Sequence, residues 1–135
     1  MRNPKETGER SEGQILARLL LAGKVVLQPF GDNQRYDLVI DEDGTFVRIQ
    51  CKTGRLREGA VRFNTCSNHG HRGKESRTYH GQADLFGVFC PDNNKVYLVP
   101  VKEMPGYEGA LRTVPTKNGQ TKGIRFASKY EFSPV

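Results

Sequence analysis

Ile15, Leu16, Leu19 and Leu20, set among polar neighbours, repeat with the period of one helix face. They predict a first helix over residues 11–22. Ser11 with Gln14 three positions on reads as a capping box, and Gly23 stands where a left-handed residue closes a helix. The ten residues before it are polar and read as a frayed end. Glu12 precedes the apolar positions by three, four, seven and eight, so it shares their face. Apolar runs bounded by turn residues then predict strands at 24–28, 36–40, 46–53, 85–90 and 95–101. Asp41-Glu42-Asp43-Gly44 and Pro91-Asp92-Asn93-Asn94 are the turns of two hairpins. Residues 68–81, rich in Gly, His and Arg, read as a loop. Glycines punctuate the tail from 105 to 135, where 124–126 is a further short strand. The expected product is one α/β domain over residues 1–135, an N-terminal helix followed by a mixed sheet.

Parity along the strands sharpens this. Phe46, Arg48, Gln50 and Lys52 point to one side of their strand, and Val47, Ile49 and Cys51 to the other. If 36–40 pairs back through the 41–44 turn, Asp37 joins the face of Gln50 and Lys52 at one end of the hairpin. Polar residues on a strand's second face usually just meet solvent. Asp, however, is a poor strand former, and here it sits inside Tyr-Asp-Leu-Val-Ile. Glu12 likewise places a carboxylate on an apolar helix face, which costs free energy.

The chain has 135 residues, 36% hydrophobic and 27% charged, with a net charge of +6. No apolar run reaches the ~20 residues that span a bilayer. The start lacks the apolar core of a secretory signal, so a soluble, cytoplasmic protein is expected. The charge is uneven: residues 1–50 carry seven Lys/Arg against eight Asp/Glu, and residues 51–135 carry fourteen against seven. Such a basic half suits a phosphate backbone, although a solvated basic face has the same composition. Cys51, Cys66 and Cys90 form no CxxC pair. Cys66, His69 and His71 offer three ligands within six residues, one short of a structural zinc site.

In order along the chain, Glu12, Asp37 and Gln50-Cys51-Lys52 resemble the PD-(D/E)xK nuclease pattern. The text around them is similar to a small group of such nucleases associated with group I intron homing. The residues that carry this are Gly31-Asp32-Asn33-Gln34-Arg35-Tyr36-Asp37-Leu38-Val39-Ile40 and Arg48-Ile49-Gln50-Cys51-Lys52-Thr53-Gly54. Tyr79, Asp84-Leu85-Phe86 and Val96-Tyr97-Leu98-Val99-Pro100 fit the group's later strands, and the likeness fades beyond residue 101.

The resemblance implies a restriction-endonuclease-like core and Mg²⁺-dependent hydrolysis of DNA, with Mn²⁺ also compatible. Asp37 would be the central metal ligand, and the backbone carbonyl of Cys51 would join it. Glu12 would act through water or hold a second ion, and Lys52 would stabilise charge developing on phosphate. Gln50 stands where most of the family has an acid. Its amide offers an oxygen without charge, as in the intron-encoded group. Arg35, Arg55, Arg57, Arg62, Arg72, Lys74 and Arg77 would contact DNA, duplex or branched, and base contacts would come from some of them or from Asn64, Asn68 or Gln82. His69, His71 and His80 read as loop or DNA-contact residues rather than a catalytic base. A double-strand break needs two such sites, hence a homodimer or larger homo-oligomer. Two other readings stay open: an inactive DNA-binding module of this fold, and a basic subunit of a larger complex.

Overall fold

The computed structural model describes residues 3–31, 33–67, 77–104 and 106–134. Helix α1 spans Pro4–Leu21, seven residues earlier than the periodicity suggests. Asn3 is the reason. Its side chain accepts from the Lys5 and Glu6 amides at 2.8 and 3.3 Å, and Pro4 is preset for the first helical position. Ser11 therefore lies mid-helix and buried, and its Oγ bonds the Thr53 hydroxyl at 2.5 Å instead of capping. The C-terminus closes as expected. Gly23 N–H bonds the Leu20 carbonyl and Lys24 N–H that of Leu19, a Schellman pair. Ile15 and Leu19 are fully buried, whereas Leu20 faces outward and is not part of the stripe.

Strands β1 (Val25–Leu27), β2 (Leu38–Glu42), β3 (Thr45–Thr53), β8 (Leu85–Cys90), β9 (Lys95–Pro100) and β11 (Glu131–Phe132) form the main sheet in that spatial order. Only β3 and β8 run parallel in it. The β2–β3 hairpin closes on two residues, Asp43 and Gly44, both at positive φ. That type I′ geometry matches strand twist and fixes the register Leu38↔Ile49 and Val39↔Arg48.

A second sheet escapes sequence reading. It comprises β4 (Arg55–Arg57), β5 (Ala60–Asn64) and β10 (Glu108–Arg112), ordered β10-β5-β4. Two of its strands are short and arginine-bearing, and β10 comes from the glycine-punctuated tail. The short strands β6 (Cys66–Ser67) and β7 (Arg77–Thr78) pair within the segment read as loop and just before it. The 124–126 expectation reduces to one bridge from Phe126 to Arg112, because the tail spends its pairing on β10 and β11.

Each face of the main sheet is covered. On one face Ile15 and Leu19 of α1 pack on Leu38, Ile40, Ile49, Phe89 and Val96. On the other, Val61, Phe63 and Leu111 of the small sheet pack on Phe86, Val88, Tyr97 and Val99. Gly54 is the joint between β3 and β4. A Cβ there would stand 2.7 Å from Val61 Cγ1 and 2.9 Å from Val88 Cγ1. Gly54→Ala is expected to cost about 2 kcal/mol by overpacking this joint, read as a lower urea midpoint at unchanged m-value. Among the described residues no helix is long and apolar enough to cross a membrane.

Candidate active site

The site begins where two paired strands part. β2 and β3 pair back to Leu38↔Ile49, and the Asp37 N–H still donates to the Ile49 carbonyl at 2.8 Å. Before Asp37 the chain turns away, while β3 continues beside β8 to Thr53↔Phe89. The Cys51 N–H thus faces an edge with no strand on it, and Asp37 Oδ2 takes it at 2.9 Å. In an extended strand the C=O of a residue points to the same side as its N–H. The Cys51 carbonyl is therefore directed to the same edge as the Asp37 carboxylate.

Helix α1 supplies the opposite wall. The Ser11–Thr53 bond pins its rotation against the end of β3, and the next residue, Glu12, reaches the cleft. Glu12, Gln28, Pro29, Gly31, Gln34, Tyr36 and Asp37 line this cleft of about 330 Å³. Burial raises the proton affinity of Glu12, and the Asp37 and Glu9 charges add to it. Burial also raises that of Asp37 above the ordinary 3.8, outweighing the Cys51 N–H and the Lys52 ammonium, which favour the carboxylate. Two carboxylates that repel each other across a half-dry cleft are an arrangement a cation relieves.

The donor set indicates which cation would fit. Gln50 Nε2 lies 3.5 Å from the Cys51 carbonyl oxygen, and a half-turn of the amide brings its oxygen to that place. Two carboxylates, a backbone carbonyl and an amide oxygen are hard donors, which fit Mg²⁺ or Mn²⁺ with retained waters. Among the described residues no group of three or more His, Cys, Asp or Glu gathers to hold a metal. Cys66 is buried and points its thiol at the Gly106 carbonyl, while His69 and His71 lie outside the described residues. The Cys51 thiol is held well above its ordinary proton affinity by burial and by the charges of Asp37 and Glu12, so it stays protonated.

Lys52 leaves β3 on the face opposite Cys51. Its Nζ lies 3.4 Å from Tyr79 Oη, 3.5 Å from the Cys66 carbonyl and 4.7 Å from the Tyr79 ring centroid. Burial lowers its pKa to about 8, against the pull of Asp37 and with a push from Arg35. Asp37, Gln50 and Lys52 therefore meet at one end of the hairpin, as strand parity suggests, beside the Cys51 backbone and with Glu12 facing them.

The expected DNA-contact residues divide. Arg55 and Arg57 on β4, with Arg62 opposite Arg55 on β5, line a groove with Thr53, Asn64 and Tyr107. Arg57 is exposed, whereas Arg62 is paired with Glu108 at 3.4 Å and Glu58 at 3.8 Å. Arg35 turns inward: it stacks on Tyr79, and Nε donates to Gln82 Oε1 at 2.7 Å. Asn68, Arg72 and Lys74 lie outside the described residues, and for Arg77 only the backbone, in β7, is described. Tyr79, which carries part of the resemblance, is a buried aromatic within the segment read as loop; Phe30, on the cleft lip between Pro29 and Gly31, is fully exposed and had no sequence signal.

No curated protein matches the chain. Among solved structures, that of a bacterial homing endonuclease, I-Ssp6803I, superposes with a TM-score of 0.78. The match covers 96% of this chain and 89% of that one at 21% identity, a level that shows a shared fold. That fold is the restriction-endonuclease-like α/β arrangement described above, helix first and mixed sheet after. A family model described as PD-(D/E)XK endonuclease matches residues 2–133. With a match of that extent, and with Asp37, Gln50 and Lys52 converging on one hairpin end, the chain belongs to the PD-(D/E)XK endonuclease family.

Proposed function

We propose that the protein is a Mg²⁺-dependent DNA endonuclease cutting phosphodiester bonds at the open edge of β3, in a homing- or resolvase-like role. The observation that carries this is Asp37 capping the Cys51 N–H where β2 leaves β3, with Glu12 across the cleft and Lys52 one residue on. Asp37, the Cys51 carbonyl and Gln50 would hold the cation, with Glu12 reaching it directly or through water. When bound, the cation neutralises charge on the phosphate and activates water. The chain's own residues do the rest. Asp37, fixed by the Cys51 N–H, sets where the cation would lie relative to β3. Lys52, as an ammonium, donates to phosphate oxygens that gain charge as the bond breaks. Gln50 supplies an oxygen without charge, so cation affinity is set by two carboxylates rather than three.

Arg55 and Arg57 extend from the catalytic strand's own continuation, which suits them to grip phosphates flanking the cut. Replacing both with Ala is expected to weaken binding similarly on all sequences. The slope of log K against log salt should fall by about 0.9 for each phosphate no longer neutralised, measured by anisotropy in EDTA. One site cuts one strand, so a double-strand break is proposed to come from a symmetric homo-oligomer. Likeness in fold to a homing endonuclease favours a duplex target. Cleavage of a long duplex library and a synthetic four-way junction under Mg²⁺ tests this. A defined duplex cut fits homing and a preferred junction cut fits resolution. Tight binding with no cut on either would favour the inactive module and point to Gln50.

A further inference from the structure

We propose that Tyr79, braced by Arg35, is the positioning residue for Lys52. The inference rests on the reading of Lys52 as the group that meets the phosphate. A lysine has a long flexible stem and a point charge, so its use in a site depends on what fixes the ammonium. Here a ring face at 4.7 Å, a phenol oxygen at 3.4 Å and the Cys66 carbonyl at 3.5 Å surround Nζ. None of these neutralises it, so the charge stays available while its direction is set.

The ring is itself held. Tyr79 is 4% exposed and stands edge-on to Phe86 at 5.7 Å and 87°. The Arg35 guanidinium lies 4.0 Å from its centroid. Arg35 is tied on several sides: Nε to Gln82 Oε1 at 2.7 Å, Nη2 to the Thr78 carbonyl at 2.5 Å, and Nη1 to the Ser67 hydroxyl. Those partners flank Tyr79 in sequence or lie on β6, beside the Cys66 carbonyl that meets Lys52. Arg35 also sits two residues before Asp37. One guanidinium thus joins the segment that delivers Asp37 to the one that holds Lys52. An arginine committed this way acts as a brace rather than as a phosphate contact.

The test is a kinetic cycle on the full chain with a plasmid or junction that it cleaves. Tyr79→Leu should slow single-turnover cleavage about tenfold or more, with DNA affinity in EDTA unchanged. Tyr79→Phe, which keeps the ring, should recover to within about threefold of the native rate. In a Lys52→Met background, Tyr79→Leu should add nothing, because its effect passes through the lysine. Arg35→Gln should lower the rate and leave both affinity and salt slope as they are; a phosphate contact would lose affinity and flatten the slope instead. If Lys52→Met is slow but Tyr79→Leu cleaves at the native rate, or the two effects multiply, the inference is overturned alone. If Lys52→Met cleaves at the native rate, the reading of Lys52 falls and takes the inference with it. Should Tyr79→Leu not fold, the Arg35→Gln measurement decides by itself.

Discussion

Asp37→Asn is expected to lower DNA cleavage by three orders of magnitude or so, about 4 kcal/mol of barrier. The substitution is chosen because it isolates charge. An asparagine still offers an oxygen to the Cys51 N–H, so the β2–β3 junction keeps its hydrogen bond. What is lost is the central carboxylate, leaving Glu12 alone with neutral oxygens. Stability should move the other way. Asp37 has its proton affinity raised in the fold, chiefly by burial. A carboxyl with a raised folded pKa favours the folded state at low pH and loses that contribution as pH rises through the folded value. At neutral pH without divalent cations the charge is therefore a cost. Metal-free Asp37→Asn should unfold at the native temperature or a few degrees above it. Mg²⁺ should then raise the unfolding temperature of the native protein alone. A variant that cleaves normally, or one that unfolds well below the native protein, contradicts this account.

The second large effect is at Lys52. Lys52→Met keeps an unbranched apolar stem against Tyr79 and removes the ammonium. Cleavage should fall by about 10²- to 10³-fold, the range for loss of one donor to a developing oxyanion. Its pKa of about 8, down from 10.5, gives a signature independent of activity. Between those values the unfolded chain binds a proton that the folded chain does not, so stability rises with pH across that window. Metal-free native protein should gain on Lys52→Met between about pH 8 and 10.5, followed by urea unfolding at each pH. Parallel pH profiles for the two would show that Lys52 is not held in a dry site.

The centre of this site was legible because it is local. Asp37 and Gln50 are joined by a two-residue turn, and period-two alternation leaves one register that buries Leu38, Ile40 and Ile49 together. Glu12 was legible for a related reason, a charge on the buried stripe of a helix. What escaped reading depends on distant partners. β5 pairs with β10 across more than forty residues, and neither strand alternates strongly enough to announce it. Ser11 looked like a cap because its true role, the bond to Thr53, spans 42 residues. The contacts of Arg35 escaped reading because only the folded chain brings Ser67, Thr78, Tyr79 and Gln82 around it.

The measurement that bears most directly on the central claim is cleavage of supercoiled plasmid by purified protein, with Mg²⁺, with EDTA, and by Asp37→Asn with Mg²⁺. Nicked and linear products are expected in the first case and none in the other two. Cutting that survives EDTA, or that Asp37→Asn performs at the native rate, would contradict that claim.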